Sequence, residues 1–350
     1  MSNEQKSKSY QQLVVGGDLF AIEAHYRLSQ KVQSDQLLLI TEEKWELNNL
    51  LRSNLSLCRG RSNLQLLGQV AGDLELVAED KIVPSLFFKD MKFRPFGGRS
   101  KSGPLLRGES FFTSSGVDIP YSRLFSFLSD SDYCAKIAES TVECPLKSIC
   151  HNEESGEWII GGLDGKKYHG QRLVWADSLS RFGEVVESSP LLNSDFMQFA
   201  QSARGDALLM LHFDLAKLPT DQAETLLIPR SMTYDYGHYI GQFVGDEQTG
   251  YHATFGAFVD RDQGSSEEVA KMVRGLKRRL DKIFPEFSSL VTKEFISLML
   301  ESFGDSLDDG LIDIEKLKKS SLVLVGQNAP LDDQKELSHW GRGFASLEGV

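Results

Sequence analysis

Cysteine, clustered histidine and long apolar runs are all scarce in this sequence, and each absence excludes a class of protein. The four cysteines, at positions 58, 134, 144 and 150, show neither C-x-x-C spacing nor the density of a disulfide scaffold, which predicts free thiols. The seven histidines are scattered and include no H-E-x-x-H motif, so no metal site is predicted. No apolar run approaches the roughly 18 residues that cross a bilayer, and the polar amino terminus lacks the apolar core of a signal peptide. The sequence therefore predicts a cytoplasmic protein without an integral membrane segment.

Basic residues are also in the minority. The chain has 38 Lys and Arg against 50 Asp and Glu, a net charge of −12 and a pI near 5.2. This balance argues against nucleic acid or an anionic membrane surface as the main partner. The hydrophobic content of 41% and the charged content of 25% are typical of a soluble globular protein, and 350 residues are enough for two domains.

The stretch from Gln11 to Glu43 has the pattern of a nucleotide-binding β-α-β unit. Its segments are a strand over Leu13–Val15, a turn at Gly16-Gly17, a helix over Leu19–Ser29 and a second strand over Leu37–Ile40.

The turn of this unit departs from the G-x-G-x-x-G pattern that cradles a pyrophosphate. Gly16 holds the first position, Asp18 the second and Ala21 the third. A carboxylate at the second position would lie where phosphate charges rest, and like charges about 4 Å apart repel by roughly 4 kcal/mol at an effective dielectric constant near 20. Asp18 is also well suited to cap the following helix. The sequence therefore indicates that the Asp18 carboxylate takes the place of a ligand phosphate at the start of this helix.

An acidic residue follows the second strand at the expected distance. Glu42 lies 21 positions after Ala21, close to the spacing of about 20 at which a carboxylate meets a ribose hydroxyl. Glu42 is either a ribose ligand or a solvated residue at a strand end, and the sequence leaves both interpretations open.

The remaining segments alternate between strand and helix signals. Residues 87–112, rich in glycine, proline and basic residues, are interpreted as a loop that is either an anion or partner site or a solvated connection. Ser265 and Glu268 form a capping box before an amphipathic helix over 266–283 that Pro285 ends. The other predictions are helices over 43–58, 124–128 and 135–138, a strand-hairpin-strand series over 142–177 with a turn at Gly165, four strands within 205–260, and a closing strand over 321–325.

Taken in order, these segments resemble the flavin-dependent amine oxidase superfamily, which includes monoamine oxidases, protoporphyrinogen oxidases and carotenoid desaturases. The resemblance covers nearly the whole chain. It implies an α/β fold in which a Rossmann-like FAD/NAD(P)-binding domain is joined to a second, α+β substrate-type domain. The implied nucleotide domain is discontinuous, over 1–75, 113–185 and 318–350, and the substrate-type (cap) domain covers 76–112 and 186–317.

The resemblance also implies FAD as the cofactor and assigns residues to it. VECPLKSI is similar to the stretch whose backbone contacts the adenine, which places Leu146 beside the base. LVLVGQNAP is similar to the closing strand, with Gln327 where the family has an acidic residue, and GRGFASLEGV to the final glycine-rich helix start. The implied cofactor-binding residues are Gly16, Gly17, Asp18, Ala21, Glu42, Leu146, Gly326, Gln327, Gly341 and Gly343.

Three departures from the family pattern bear on function. They are Asp18, the sequence EKWE at 43–46 where the family has a glycine pair and an arginine, and an end at Val350 before the final helix would be complete. The first hypothesis is a degenerate member that binds FAD weakly or not at all and has a non-catalytic role toward a small molecule or protein.

Two other hypotheses remain open. The second is an active FAD-dependent oxidoreductase whose flavin takes hydride from an unknown substrate, with catalytic residues unassigned. The third is that the cleft holds a different ligand, such as a nucleotide lacking one phosphate or an apolar molecule, beside an aromatic wall in YDYGHY (Tyr234, Tyr236, His238 and Tyr239).

Overall fold

The structure is a computed structural model that describes residues 8–44, 57–58, 86–95, 117–118, 131–187, 192, 194–202, 205–222, 224–231, 237–247, 250–259, 265–304, 320–326, 346–347 and 350. The strands, in chain order, are β1 (Ser9–Val15), β2 (Leu37–Thr41), β3 (Leu57–Cys58), β4 (Leu86–Lys89), β5 (Lys92–Pro95), β6 (Val117–Asp118), β7 (Thr141–Glu143), β8 (Leu146–Asn152), β9 (Glu157–Gly162), β10 (Lys167–Trp175), β11 (Gly205–Leu215), β12 (Leu226–Pro229), β13 (His238–Asp246), β14 (Gly250–Val259), β15 (Val291–Gly304) and β16 (Leu322–Leu324). The helices are α1 (Leu19–Ser29), α2 (Ser131–Ser140), α3 (Leu179–Val185), α4 (Ser194–Ser202), α5 (Ser266–Ile283) and α6 (Phe287–Leu290), with a 3₁₀ turn at Ser34–Gln36.

The chain divides into two compact units. The first contains Met1–Leu50, Leu128–Arg204 and Gly304–Val350, and the second contains Leu51–Phe127 and Gly205–Phe303. The discontinuous domain boundaries given by the sequence stay a prediction.

A seven-stranded sheet forms the centre of the first unit. Its order is β7-β2-β1-β10-β9-β8, and β16 also pairs with β10. Strands β7, β2, β1, β10 and β16 are parallel along their shared lengths, while β9 and β8 continue as an antiparallel meander. The Rossmann-like, mixed α/β fold class predicted from the sequence is confirmed.

The opening β-α-β unit follows its sequence pattern closely. Strand β2 is buried at all of its residues, as are the last four residues of β1, because a parallel sheet is covered on both faces. The helix predicted over 19–29 is α1, with the same first and last residues. The predicted strand-hairpin-strand series is also confirmed as β8, β9 and β10, and the turn is at Gly165, whose φ is +82°.

The second unit is built on another seven-stranded sheet, in the order β15-β11-β14-β13-β12-β4-β5. Helix α5 begins at the predicted cap, where the Ser265 hydroxyl accepts a hydrogen bond from the Glu268 N–H at 3.3 Å. Met272, Leu276 and Leu280 on this helix are buried against one face of the sheet, as its spacing predicts. The four predicted strands within 205–260 are β11 to β14.

Two predictions of local structure are wrong. The segment over 87–112, interpreted as a loop, contains a β-hairpin in its described part, because β4 and β5 pair antiparallel and β4 also pairs parallel with β12. Asp90 and Met91 form its tight turn, with φ of +52° and +61°. The helix predicted over 43–58 is absent at both of its described ends, because Glu43 and Lys44 are not helical and Leu57 and Cys58 form β3, which pairs with β6.

Several other predictions lie on residues that the structure does not describe. These are residues 45–56 of the helix predicted over 43–58, the helix over 124–128, residues 96–112, and Tyr234 and Tyr236 of the aromatic wall. Tyr239 is described and belongs to the core: it is buried on the α5 side, where its hydroxyl donates to the Met272 carbonyl at 2.8 Å.

Candidate functional site

The carboxyl ends of β1, β2, β10 and β16 meet at one edge of the first sheet, beside the start of α1. In open α/β sheets, ligands bind in the crevice outside this edge. Gly16, Asp18, Glu42 and Gly326, which the sequence singles out, follow β1, β2 or β16 here. The candidate site is therefore at this edge.

Gly16 makes the close turn out of β1. Its φ is +139°, and a Cβ at this position would lie 2.8 Å from the Ala176 carbonyl oxygen and 3.1 Å from the Ala21 Cβ. A larger residue would therefore push β1 away from the end of β10 and from α1. Gly17 has open space around its Cα, so neither packing nor backbone conformation requires glycine there.

Asp18 caps α1 through its own carboxylate. Its Oδ1 accepts a hydrogen bond from the Ala21 N–H at 2.9 Å, which satisfies one of the free donors of the first turn. Desolvation raises the pKa of Asp18 to about 7, the Ala21 N–H opposes that rise, and the nearby Asp177 carboxylate adds to it. The first turn of α1 thus already contains an acceptor where a phosphate oxygen would accept.

Glu42 lies directly after β2 and has both carboxylate oxygens engaged. Arg181 donates from Nε to Oε2 at 2.8 Å and from Nη2 to Oε1 at 2.6 Å, and the Leu146 N–H donates to Oε1 at 2.8 Å. Burial favours a higher pKa for Glu42, but the hydrogen bonds from Arg181 and Leu146 outweigh it and lower the pKa. The carboxylate is therefore ionised at neutral pH and held in a bidentate ion pair.

Leu146 has internal partners on both of its main-chain groups. Its N–H donates to Glu42, and its carbonyl accepts from Arg181 Nη2 at 3.1 Å. Glu42 and Leu146, which the sequence assigns to the ribose and the adenine, are thus bonded to each other and to the same Arg181 guanidinium.

Arg181 is the residue at this site that sequence reasoning missed. It lies in the first turn of α3, whose cap is Ser178, and the Ser178 hydroxyl accepts from the Arg181 N–H at 3.2 Å. A serine cap three residues after the end of the apolar strand β10 is a signal that could have indicated α3. Nothing in the sequence pairs Arg181 with Glu42, because 139 positions separate them.

Comparison with known proteins identifies the architecture. No protein-family model matches the chain, and no curated protein matches it. Among solved structures, cyclohexylamine oxidase from Brevibacterium oxydans matches with a TM-score of 0.59 and 10% identity, over 98% of this chain and 99% of that one. Putrescine oxidase matches with a TM-score of 0.58 and 8% identity over 97% of each chain, and an oxidoreductase from Methanosarcina mazei with 0.57 and 11% identity, over 97% of this chain and 100% of that one. The chain has the fold of these amine oxidases. The resemblance seen in the sequence is confirmed at the level of the fold.

The closing strand of the amine oxidase fold is β16, and Gly326 follows it with a φ of +107°. Its N–H donates to the Ser346 hydroxyl at 3.0 Å. Arg27 Nη1 of α1 donates to the Leu347 carbonyl at 2.9 Å, and Lys31 Nζ, two residues after the end of α1, donates to the Val350 carbonyl at 2.8 Å. Gln327, Gly341 and Gly343 lie outside the described residues.

A membrane-crossing helix would need length and apolar character together. No helix in the described part of the chain combines the two.

Proposed function

We propose that this chain is an amine oxidase-like protein that binds FAD weakly or not at all and has a non-catalytic binding role. The observation that carries this proposal is the Arg181 guanidinium, which engages both Glu42 oxygens and the Leu146 carbonyl. An adenosine at this edge would have to displace that guanidinium and compete for groups already in charge-assisted hydrogen bonds, each contributing about 1.5–3 kcal/mol.

Asp18 supports the same proposal at the phosphate end. A diphosphate at the start of α1 would compete with the Asp18 carboxylate for the Ala21 N–H and would meet its charge whenever Asp18 is ionised. The residues at this edge therefore do not fit FAD in an extended pose across the β-α-β turn. The ligand of the binding role is a small molecule or protein of unassigned chemistry.

The test is flavin binding by the purified full-length protein and two variants. We expect the wild type to elute without the visible absorbance of oxidised flavin and to show no oxidation of amines when FAD is supplied. We expect the double variant Asp18→Gly, Arg181→Ala to bind FAD at least roughly tenfold more tightly, since it removes both internal competitors.

The matched control is Arg94→Ala. It removes an arginine with a side chain 57% exposed in the second unit, and the FAD affinity should not change. Wild-type protein that carries a full complement of FAD would contradict the proposal.

The second candidate is an active FAD-dependent oxidoreductase. It is favoured by Glu42 and Leu146, the residues that the resemblance assigns to the ribose and the adenine, and by the pKa of Asp18 near 7, which leaves a neutral fraction of this carboxyl at physiological pH. FAD would then co-purify, its flavin would accept hydride from the substrate, and Asp18→Gly would change the affinity only slightly.

A further inference from the structure

We propose that His212, Asp214 and His252 form a site for a divalent transition metal in the second unit. His212 and Asp214 are two residues apart on β11, and His252 is on the neighbouring strand β14. The antiparallel register pairs Asp214 with His252 and His212 with Thr254, so the side chains lie on one face of the sheet. This proposal is independent of the nucleotide site.

The atoms that would bind the metal already converge. His212 Nε2 lies 3.3 Å and His252 Nδ1 lies 3.0 Å from the same Asp214 oxygen, Oδ1. One ligand atom from each residue lies within 4.8 Å of the other two. A zinc ion held tetrahedrally at about 2.0–2.1 Å separates its ligands by about 3.4 Å, so small side-chain rotations would admit it.

A hydrogen bond outside the three ligands orients one of the rings. His212 Nδ1 lies 2.9 Å from the Thr254 hydroxyl, which directs Nε2 toward Asp214. Metal-binding histidines characteristically use their second ring nitrogen in this way, and loss of that partner weakens binding about 10- to 100-fold. When the Thr254 hydroxyl accepts a hydrogen bond from His212 Nδ1, the lone pair of His212 Nε2 faces the Asp214 carboxylate oxygen. A cation between these two atoms would stabilise this arrangement.

The surroundings leave one side of the cluster accessible. Leu211 and Phe213, which alternate with the ligands on β11, pack in the core with α5, so the cluster lies on the opposite face of the sheet. His212 is buried, while the side chains of His252 and Asp214 are 15% and 24% exposed. Three protein ligands with an accessible fourth position are typical of zinc sites that bind water or substrate.

The ligand set selects the class of metal. Two imidazoles and one carboxylate suit Zn²⁺ and its first-row neighbours, whereas Mg²⁺ and Ca²⁺ prefer sites made of oxygen ligands. The scattered histidines gave no sign of this site in the sequence, since 40 positions separate His212 from His252. The strand register brings them together.

The experiment uses tag-free full-length protein, stripped with chelator and dialysed against Zn²⁺. We expect one zinc ion per chain by elemental analysis and a higher melting temperature with Zn²⁺ than with Mg²⁺. Asp214→Asn and His252→Gln should each lower the Zn²⁺ affinity roughly tenfold or more, and Thr254→Val should weaken it while leaving all three ligands in place.

His169→Gln is the matched control, because His169 is a partly buried histidine of the first unit beside Glu157 at 3.9 Å. It should retain the wild-type zinc content. Circular dichroism of each variant separates loss of metal from loss of fold. Wild-type protein that retains no zinc, or folded Asp214→Asn and His252→Gln proteins that retain as much as the wild type, would overturn the proposal and leave a hydrogen-bonded His-Asp-His group.

Discussion

Asp18 and Glu42 both present a carboxylate at the same edge of the first sheet, but their surroundings move their pKa values in opposite directions. Desolvation dominates at Asp18 and raises its pKa to about 7. At Glu42, the hydrogen bonds from Arg181 and Leu146 outweigh burial and lower the pKa. Near neutral pH, Asp18 therefore changes charge while Glu42 stays ionised.

The first expected outcome concerns Asp18→Asn. The folded state holds the Asp18 proton more tightly than the unfolded chain, so the stabilisation is complete below about pH 4 and is lost as pH rises through about 7. Asparagine keeps the cap without titrating. Urea unfolding should show the variant gaining stability over the wild type from pH 4 to pH 8. If the stabilities of the two proteins changed in parallel across this range, the raised pKa of Asp18 would be contradicted. Glu23, whose pKa is also raised to about 7, is present in both proteins and therefore cancels in the comparison.

The second expected outcome concerns Arg181→Lys. An ammonium cannot form the two-pronged contact to Glu42 and reach the Leu146 carbonyl as well, so we expect the free energy of unfolding to fall by about 1–2 kcal/mol. Glu184→Gln is the comparison, since Glu184 also contacts Arg181 at 3.0 Å but is 61% exposed and should change stability by less than about 0.5 kcal/mol. Equal losses of unfolding free energy in the two variants would show that the Arg181–Glu42 contact contributes no more than the exposed Arg181–Glu184 contact.

Single elements were predictable where a local signal marked both ends. The start of α1 follows from the turn at Gly16 and the Asp18 cap, and its course from the apolar residues that come after Asp18, while the limits of α5 follow from Ser265 and Pro285. The hairpin of β4 and β5 was missed because its turn contains no glycine and its strands contain basic residues. The Arg181 contact and the metal-ligand group depend on pairings between distant strands, which no local pattern specifies.

The hairpin turn gives the third expected outcome. Met91 has a φ of +61° and is 62% exposed, so its side chain strains the backbone without contributing much packing. A turn with positive φ at both central residues favours glycine at the second. We expect Met91→Gly to raise the free energy of unfolding by about 0.5–1 kcal/mol in urea, whereas Met91→Ala should give no gain. A loss of stability in the glycine variant would argue against this turn.

On the scale of the whole molecule, the first unit is assembled from three separated stretches of the chain. Strand β16 pairs with β10, and Leu347 and Val350 are buried beside α1, at 0% and 5% exposure. These late residues complete a core that begins with β1.

The fourth expected outcome follows from that arrangement. Leu347→Ala should lower the free energy of unfolding of the first unit by about 2–4 kcal/mol, because the truncation of a fully buried side chain leaves a cavity. The fluorescence of Trp158 and Trp175, which are buried in the core of this unit, provides the measurement. Leu163→Ala is the control, since Leu163 is 68% exposed and its truncation should have little effect.

Strand β10 changes partners along its length, and this has a kinetic consequence. It pairs with β1 on one side over 169–175, and on its other side it pairs first with β9 over 167–170 and then with β16 over 173–175. Leu173, Val174 and Trp175 are at most 1% exposed. Amide protons in such a segment reach solvent only when the surrounding sheet opens as a whole. Deuterium uptake at these three residues should therefore be among the slowest in the first unit and should measure its global opening, while uptake at the meander end of the strand reports smaller fluctuations.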